Sequence, residues 1–225
     1  MSDDFDFEPI PGLPENLPAG ERIMWQGGPV WTHLARHAFH VDKLAAYFAV
    51  LVTLRLCLAV RDGQPLMQAL VSYGVFLLAA SLAVGVIAGL AYLSARSTIY
   101  TITTKRVAMR FGIALPLTVN IPLSRVAKAD LAQRRAGIGD ISIEPAQGTR
   151  LAYLVLWPHA RAWRLNTPQP TLRSIPDACQ VAQVLADALA LSAAEDGQAV
   201  VRVRPVDVDP GASTAQLPPR LQAAE

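Results

Sequence analysis

An uncharged run of thirty residues, residues 66–95, constrains the fold of this chain more than any other feature. A helix of that length, at about 1.5 Å per residue, crosses the hydrocarbon core of a bilayer even when it is tilted. A core helix of a soluble protein does not need so long a stretch without charge. We therefore predict that Leu66–Ala95 forms a transmembrane helix.

A second apolar run, Leu44–Val60, precedes it in the chain and is interrupted only by Thr53 and Arg55. Its length is close to the lower limit for a membrane span. The five residues between the two runs end in Pro65 and are too few for a domain, which predicts a tight helical hairpin. Only 17% of all residues are charged, against roughly 25% in ordinary soluble domains.

Basic residues are distributed unevenly around this hairpin. The loop between the helices holds Arg61, whereas the outer flanks hold Arg36, Lys43, Arg96, Lys105, Arg106 and Arg110. Because cytoplasmic flanks carry the excess of Lys and Arg, we expect a multi-pass protein of the cytoplasmic (inner) membrane with both termini in the cytoplasm.

Arg55 is an ionisable residue inside the first predicted span, where a charge is costly and is often functional. It lies five residues before Val60, so its side chain can extend to the outer interface, which is the interpretation we favour. Contact with a partner membrane protein is the alternative.

Residues 1–43 precede the spans and have a different character. Seven acids and two bases occupy residues 1–42, and Pro and Gly are dense in residues 1–28, which predicts an extended acidic arm followed by a short interfacial helix from Pro29. His33, His37 and His40 have the i, i+4, i+7 spacing that could bind a metal or a chlorin magnesium. No carboxylate-rich shell accompanies them, so we favour polar interfacial residues over ligands.

Residues 96–194 have the β-branched and aromatic enrichment that is typical of strands. Seven short strands are predicted, over residues 97–103, 107–111, 117–121, 126–133, 140–144, 151–157 and 161–165. After Pro176 the apolar residues recur at helical spacing. We expect an α+β or all-β domain, a sandwich or partly open barrel with a C-terminal helix. A flexible tail is expected over residues 195–225, where the alternation in Val200–Val208 hints at an edge strand.

Eight bases and one acid give residues 96–135 a net charge of +7 directly after the second span. Basic residues beside an anionic leaflet each contribute on the order of 1 kcal/mol to binding. Either these side chains hold the domain against the membrane, with Arg96, Lys105, Arg106 and Arg110 as candidates, or they only satisfy the positive-inside rule.

Small residues are frequent in the second span, and Gly85 and Gly89 have the small-xxx-small spacing that lets helix backbones approach closely. This face could receive a partner helix or a second copy of the chain. The protein's own first helix is the alternative occupant.

No residue pattern of an enzyme is apparent in the sequence. Gly137-Ile138-Gly139 lacks the third glycine and the following helix of a dinucleotide site, and Cys57 and Cys179 lie in unlike contexts. His159 is expected in a turn. We therefore assign no catalytic residue, metal or cofactor, and the net charge of +2 does not indicate a nucleic-acid partner.

Several segments carry a resemblance to a known family. Residues 17–29, a membrane hairpin, and then residues 100–107, 121–123 and 139–141 resemble membrane-anchored bacterial proteins with a pleckstrin-homology-like (PH-like) domain. Residues 8–14, with residues 36–40 and 47–49 after them, are more narrowly similar to the PuhB family of photosynthetic-complex assembly proteins of purple bacteria. The resemblance covers roughly residues 5–192.

The resemblance implies a non-catalytic membrane assembly factor for the photosynthetic reaction centre and light-harvesting complex. Its implied partners are the membrane and the reaction-centre and light-harvesting polypeptides, and a homodimer is a further alternative. The family is described with three spans, whereas this chain shows two. A PH-like lipid- or envelope-sensing module unrelated to photosynthesis is the alternative function.

Overall fold

The computed structural model describes residues 10–134, 137–146, 152–161, 167–197 and 203–207. The chain divides into two compact units. One is helical and comprises Trp31–Leu93. The other combines the residues up to Val30 with those from Ser94 onward, so it is built from both sides of the helical segment.

The helical unit contains α1 (Trp31–His37), α2 (Val41–Arg61) and most of α3 (Leu66–Arg96). Helices α2 and α3 are long and apolar enough to cross a membrane, as the uncharged run predicted. A short turn that includes Asp62 and Gly63 joins them, so the predicted hairpin is confirmed.

The first sheet of the other unit is antiparallel throughout, in the order β1 (Ile23–Gly27), β2 (Ile99–Thr103), β3 (Arg106–Phe111) and β4 (Leu117–Pro122). Strand β1 pairs with β2, with Gly27 opposite Tyr100. The segment before the spans was expected to be an arm, and the structure differs because its backbone hydrogen bonds are satisfied by β2. The helical hairpin is thus inserted between two neighbouring strands.

The second sheet has the order β7 (Thr171–Ile175), β6 (Gly139–Pro145), β5 (Val126–Gln133) and β8 (Val203–Asp207). Strand β8 runs parallel to β5 and supplies one edge, so part of the expected tail belongs to the sheet. Residues 208–225 of that tail lie outside the described residues. Strand β7 was not predicted.

A short helix, α4 (Tyr153–Leu156), occupies the position of the strand predicted over residues 151–157, so that prediction is wrong. The physical reason is that β6 is already paired on both sides, with β5 and with β7, so this segment cannot pair with β6 as the next strand of the sheet. Most of the strand predicted over residues 161–165 lies outside the described residues.

The core of this unit lies where the two sheets and α5 (Ala178–Asp196) meet. Helix α5 confirms the periodicity after Pro176, because its apolar residues at helical spacing are the buried ones: Ala178, Val181, Ala182, Leu185, Ala188 and Leu189. They pack with side chains of both sheets such as Ile102, Met109, Leu131 and Ile143. Two four-stranded sheets with one closing helix match the expected PH-like architecture.

Replacing Leu185 with alanine tests this core, because Leu185 is fully buried. We expect a loss of about 2–5 kcal/mol in the free energy of unfolding, from lost burial and the cavity left behind. The matched control is Leu191→Ala on the same helix, where the side chain is 51% exposed and the loss is expected to be much smaller. Denaturant unfolding of the full chain in detergent measures both, and equal losses would contradict the assigned core.

Candidate functional site

In the described part of the sheet unit, the side chains that could transfer a proton or bind a ligand are concentrated in a chain of buried polar groups centred on His159. The His159 ring is fully buried. Its Nδ1 lies 2.6 Å from the Tyr100 hydroxyl and its Nε2 lies 3.1 Å from Thr98 Oγ1. The Tyr100 and Phe111 rings pack against it at centroid distances of 5.7 and 5.1 Å.

The direction of each hydrogen bond in this chain follows from the groups at its two ends. The Thr98 hydroxyl donates to the Ser94 carbonyl oxygen at 2.6 Å, so it accepts the bond from His159 Nε2–H. Nδ1 of His159 then accepts from the Tyr100 hydroxyl, which itself accepts from the Arg173 backbone N–H at 3.2 Å. These bonds require the neutral imidazole with its proton on Nε2.

Burial also favours the neutral ring. It lowers the pKa of His159 from 6.5 to about 3, and the charge of Arg173 acts in the same direction. Burial likewise raises the pKa of the Tyr100 hydroxyl above its ordinary value, despite the opposing hydrogen bond from the Arg173 backbone. Both groups therefore stay neutral at physiological pH.

Both ring nitrogens of His159 are engaged and the ring has no exposed surface, so this cluster ties elements together and offers no access to a substrate. The His159 backbone extends the same network, because its carbonyl accepts from Thr171 N–H at 2.8 Å. His159 lies in the turn region after α4, as expected from the sequence, but its hydrogen-bond partners were not predicted. Thr98 and Tyr100 lie sixty residues away in the chain, so no local pattern could reveal them.

The structure places the four candidate membrane-contact bases in different settings. Arg96 and Lys105 are exposed, whereas Arg110 is buried. Arg106 is half-buried, and its Nε donates to Glu21 Oε1 at 2.9 Å. Lys105 lies in the β2–β3 turn, at the end of β2 that points away from Arg96. These four residues therefore do not form one surface.

Other bases of the +7 segment also have acidic partners. Lys128 binds Asp130 at 3.0 Å, and Arg161, which lies outside this segment, binds the same carboxylate at 2.8 Å. Burial alone would raise the pKa of Asp130, but the bonds from Arg161 and Lys128 outweigh it and lower that pKa. Arg134 pairs with Asp140 at 3.0 Å. Arg106, Lys128 and Arg134 of this segment are therefore paired with carboxylates within the fold.

Gly85 and Gly89 lie on the outer face of α3. At about 100° per residue they are roughly half a turn from the buried positions Ala80 and Ala91. Both glycines are exposed, and a Cβ added at either would meet no atom within 4 Å beyond the helix's own backbone. Helix α2 therefore does not cover this face, which removes the intramolecular alternative.

Arg55 lies inside the helical hairpin and contacts α3. Its guanidinium carbon is 5.9 Å from the centroid of the Phe76 ring, a cation–π geometry. The side chain is half-buried. The Phe76 ring is therefore an intramolecular partner of the Arg55 guanidinium. The sequence had suggested only extension to the outer interface or contact with a partner protein.

The three N-terminal histidines are not gathered on one helix face. The rings of His33 and His37 stack at 5.6 Å on α1, which ends at His37. His40 follows the helix in a left-handed conformation, with φ of 54°. Within the described ranges, no group of three His, Cys, Asp or Glu residues is placed to hold a metal ion.

Comparisons with known proteins add sequence relationships to this geometry. The model of the bacterial PH domain family matches residues 48–189. A Rhodobacter capsulatus protein named "Uncharacterized 23.7 kDa protein in puhA 5'region" is 41% identical over 190 residues, which are 84% of this chain and 89% of that protein. No solved structure matches the chain significantly.

The buried imidazole predicts a pH dependence of stability. The pKa of His159 is about 3 in the folded chain, and its ordinary value of 6.5 applies to the unfolded chain. As the pH falls, the unfolded chain therefore binds the proton first. Above about pH 6.5 this group does not change the free energy of unfolding. Between about pH 6.5 and about pH 3 it lowers the free energy of unfolding by up to about 1.4 kcal/mol per pH unit.

Unfolding of the full chain in detergent, from neutral pH down to about pH 4, measures this slope. We expect a steeper loss for the native chain than for His159→Gln, whose amide does not titrate. The comparison concerns slopes, since the variant also loses ring contacts at every pH. Identical slopes in the two proteins would contradict the assignment.

Proposed function

The chain belongs to the bacterial PH domain family, and from that premise we propose that it is a non-catalytic, membrane-anchored assembly factor for the photosynthetic reaction centre and its light-harvesting complex. In this proposal it is a member of the PuhB family, the assembly proteins to which its N-terminal segment is similar. The observation that carries the proposal is the 41% identical relative, whose name places it in the puhA 5' region. That position supports a role related to photosynthesis.

The proposed membrane anchor is the hairpin of α2 and α3. Its support is the length and apolar composition of both helices. The basic residues on the outer flanks favour cytoplasmic termini in the inner membrane, with only Arg61 in the connecting loop. In this arrangement the PH-like unit lies on the cytoplasmic side.

The proposed topology predicts the behaviour of a reporter fused after Glu225. A reporter active only in the cytoplasm should be active there, and one active only in the periplasm should be silent. The same pair of reporters placed after Gly63, in the loop between the helices, should give the opposite result. Periplasmic activity at the C-terminal position would overturn the orientation.

A scaffold role rather than a catalytic one is proposed because the buried histidine, tyrosine and aspartates that the structure describes in the sheet unit are bonded to other side chains of that unit. His159 and Tyr100 are fully buried and bonded to one another. Asp130 and Asp140 are engaged by basic side chains. Each cluster therefore supports packing of the domain.

The outer face of α3 is the proposed contact for newly inserted pigment-protein helices. Gly85 and Gly89 have open space in front of them, and Ser81 continues the spacing by one further step. Small residues at this spacing allow close packing of membrane helices, which is stabilised by dispersion and backbone contacts. A second copy of the chain is the alternative occupant.

A Gly85→Leu/Gly89→Leu double variant tests this contact, because a Cβ at either position has no atom within 4 Å beyond its own helix and the larger side chains would block close approach of a partner helix. We expect normal insertion, since leucine is more apolar, but a several-fold decrease in reaction-centre and antenna absorbance of the cells.

The matched control is Gly74→Leu. Gly74 lies on the same side of α3 and also has open space, but Leu70 and Leu78 are its neighbours four residues away. The control should leave both complexes at normal levels. Normal complexes in the double variant, at normal protein level, would contradict the partner face. If the double variant no longer forms a dimer in detergent but the pigment complexes are normal, this face of α3 would be assigned to contact with a second copy of the chain.

The lipid- or envelope-sensing alternative predicts a different phenotype. A null strain would then form both pigment complexes in normal amounts and would differ in its response to membrane stress. The pairing of Arg106, Lys128 and Arg134 with carboxylates argues against a large basic lipid-binding surface.

A further inference from the structure

Two uncharged segments of the sheet unit expose large apolar side chains. The first is the β3–β4 loop, where Leu115 is 85% exposed and Ile113 is also exposed. The second is α4 with the residue after it, where Leu154 is 86% exposed and Val155 and Trp157 are about half exposed. We call these five residues the apolar rim: Ile113, Leu115, Leu154, Val155 and Trp157.

Both segments lie at the end of the unit where α3 enters it. Ile99, the first residue of β2, is opposite Arg110, so β3 ends beside the start of β2 and the loop follows at once. The ring of Phe111, the last residue of β3, lies 5.1 Å from that of His159, which comes two residues after Trp157. His159 bonds Thr98, which in turn bonds Ser94 in the last turn of α3.

The composition of the loop is unusual for an exposed connection. Residues 111–124 contain no charged residue, and residues 112–117 contain none of the Asn, Asp or Ser that normally favour turns. Gly112 has φ of +124°, and a Cβ there would collide with the Leu115 carbonyl. The loop is therefore held in a tight conformation that presents Ile113 and Leu115 to the outside.

We propose that the apolar rim inserts into the lipid interface beside the point where α3 leaves the bilayer, so that the PH-like unit contacts the membrane through apolar side chains. The proposal rests on the membrane anchorage proposed above. Lipid is the favoured occupant because the rim lies at the same end of the sheet unit as the last turn of α3, a helix that is long and apolar enough to span. A tryptophan beside aliphatic side chains is also typical of residues at the membrane–water interface.

This surface differs from the basic one that was one of the two interpretations of the sequence. Lys105 lies in the turn at the opposite end of β2, Arg106 begins β3 directly after that turn, and Arg110 is buried. Within the sheet unit, the β2–β3 turn is separated from the last turn of α3 by the length of β2, about 20 Å, since a strand rises about 3.3 Å per residue. Lys105 therefore provides a matched aqueous control.

Spin labels on single cysteines test the proposal in the full chain, reconstituted at low density in vesicles of phosphatidylcholine and phosphatidylglycerol. The background carries Cys57→Ser and Cys179→Ser, and the label positions are Leu115→Cys, Leu154→Cys, Lys105→Cys and Leu78→Cys. Leu78 is exposed within α3 and reports the membrane anchorage itself. Collision with oxygen measures contact with lipid, and collision with a water-soluble nickel chelate measures contact with water.

We expect labels at 115 and 154 to favour oxygen, at a depth of about 5–10 Å, while the label at 105 favours the nickel chelate. Nickel access at 115 and 154 equal to that at 105, with Leu78 immersed, would overturn this proposal alone. An aqueous label at 78 would overturn both the proposal and the anchorage. Protection of 115 and 154 from both reagents would indicate a protein contact and would overturn the lipid contact.

A second measurement keeps the native cysteines. Leu115→Trp and Lys105→Trp are compared in vesicles with bromine-labelled lipids, which quench only tryptophans that contact lipid. The added fluorescence at 115 is expected to be quenched and that at 105 to be retained. Equal quenching at the two positions would contradict the proposal.

Discussion

The pairing of β1 with β2 is the constraint on which the rest of the structure depends. The chain leaves the first sheet at Gly27, forms the entire helical hairpin, and returns to pair opposite the same residue at Tyr100. Outgoing and returning segments run so close that a Cβ on Gly28 would lie 2.9 Å from the Thr98 carbonyl oxygen. The membrane-length helices are therefore an insertion within a sheet domain, and residues on both sides of them build one core.

The buried polar chain forms where the returning strand begins. Burying a hydroxyl or an imidazole costs free energy unless each donor and acceptor is used, and here the bonds run without a gap from Arg173 N–H through Tyr100, His159 and Thr98 to the Ser94 carbonyl. This network gathers the last turn of α3, the end of β3 and the segment after α4 in one place. Because the end of β3 and the segment after α4 meet there, the two exposed segments of the apolar rim lie at the same end of the sheet unit.

The net charge of a segment does not show which of its charges are paired in the fold, because charge partners lie far apart along the chain. The count over residues 96–135 included Arg106 and Arg134 but omitted Glu21 and Asp140, their partners in the fold. Glu21 belongs to the segment expected to be a separate acidic arm. Once β1 joins the sheet, that carboxylate also accepts a bond from the Thr103 hydroxyl at 2.7 Å. Its charge then stabilises the sheet unit.

The sequence by itself determined the two long helices, their short connection, most of the strands and α5, because run length, alternation and helical period depend on near neighbours in the chain. The tertiary structure decided that β1 completes the first sheet, that β8 pairs in parallel with β5, that residues 153–156 form a helix, and that Gly85 and Gly89 face outward. It also decided the burial of His159. The physical reason is that these outcomes depend on hydrogen-bond and packing partners that are distant in sequence, which no local pattern specifies.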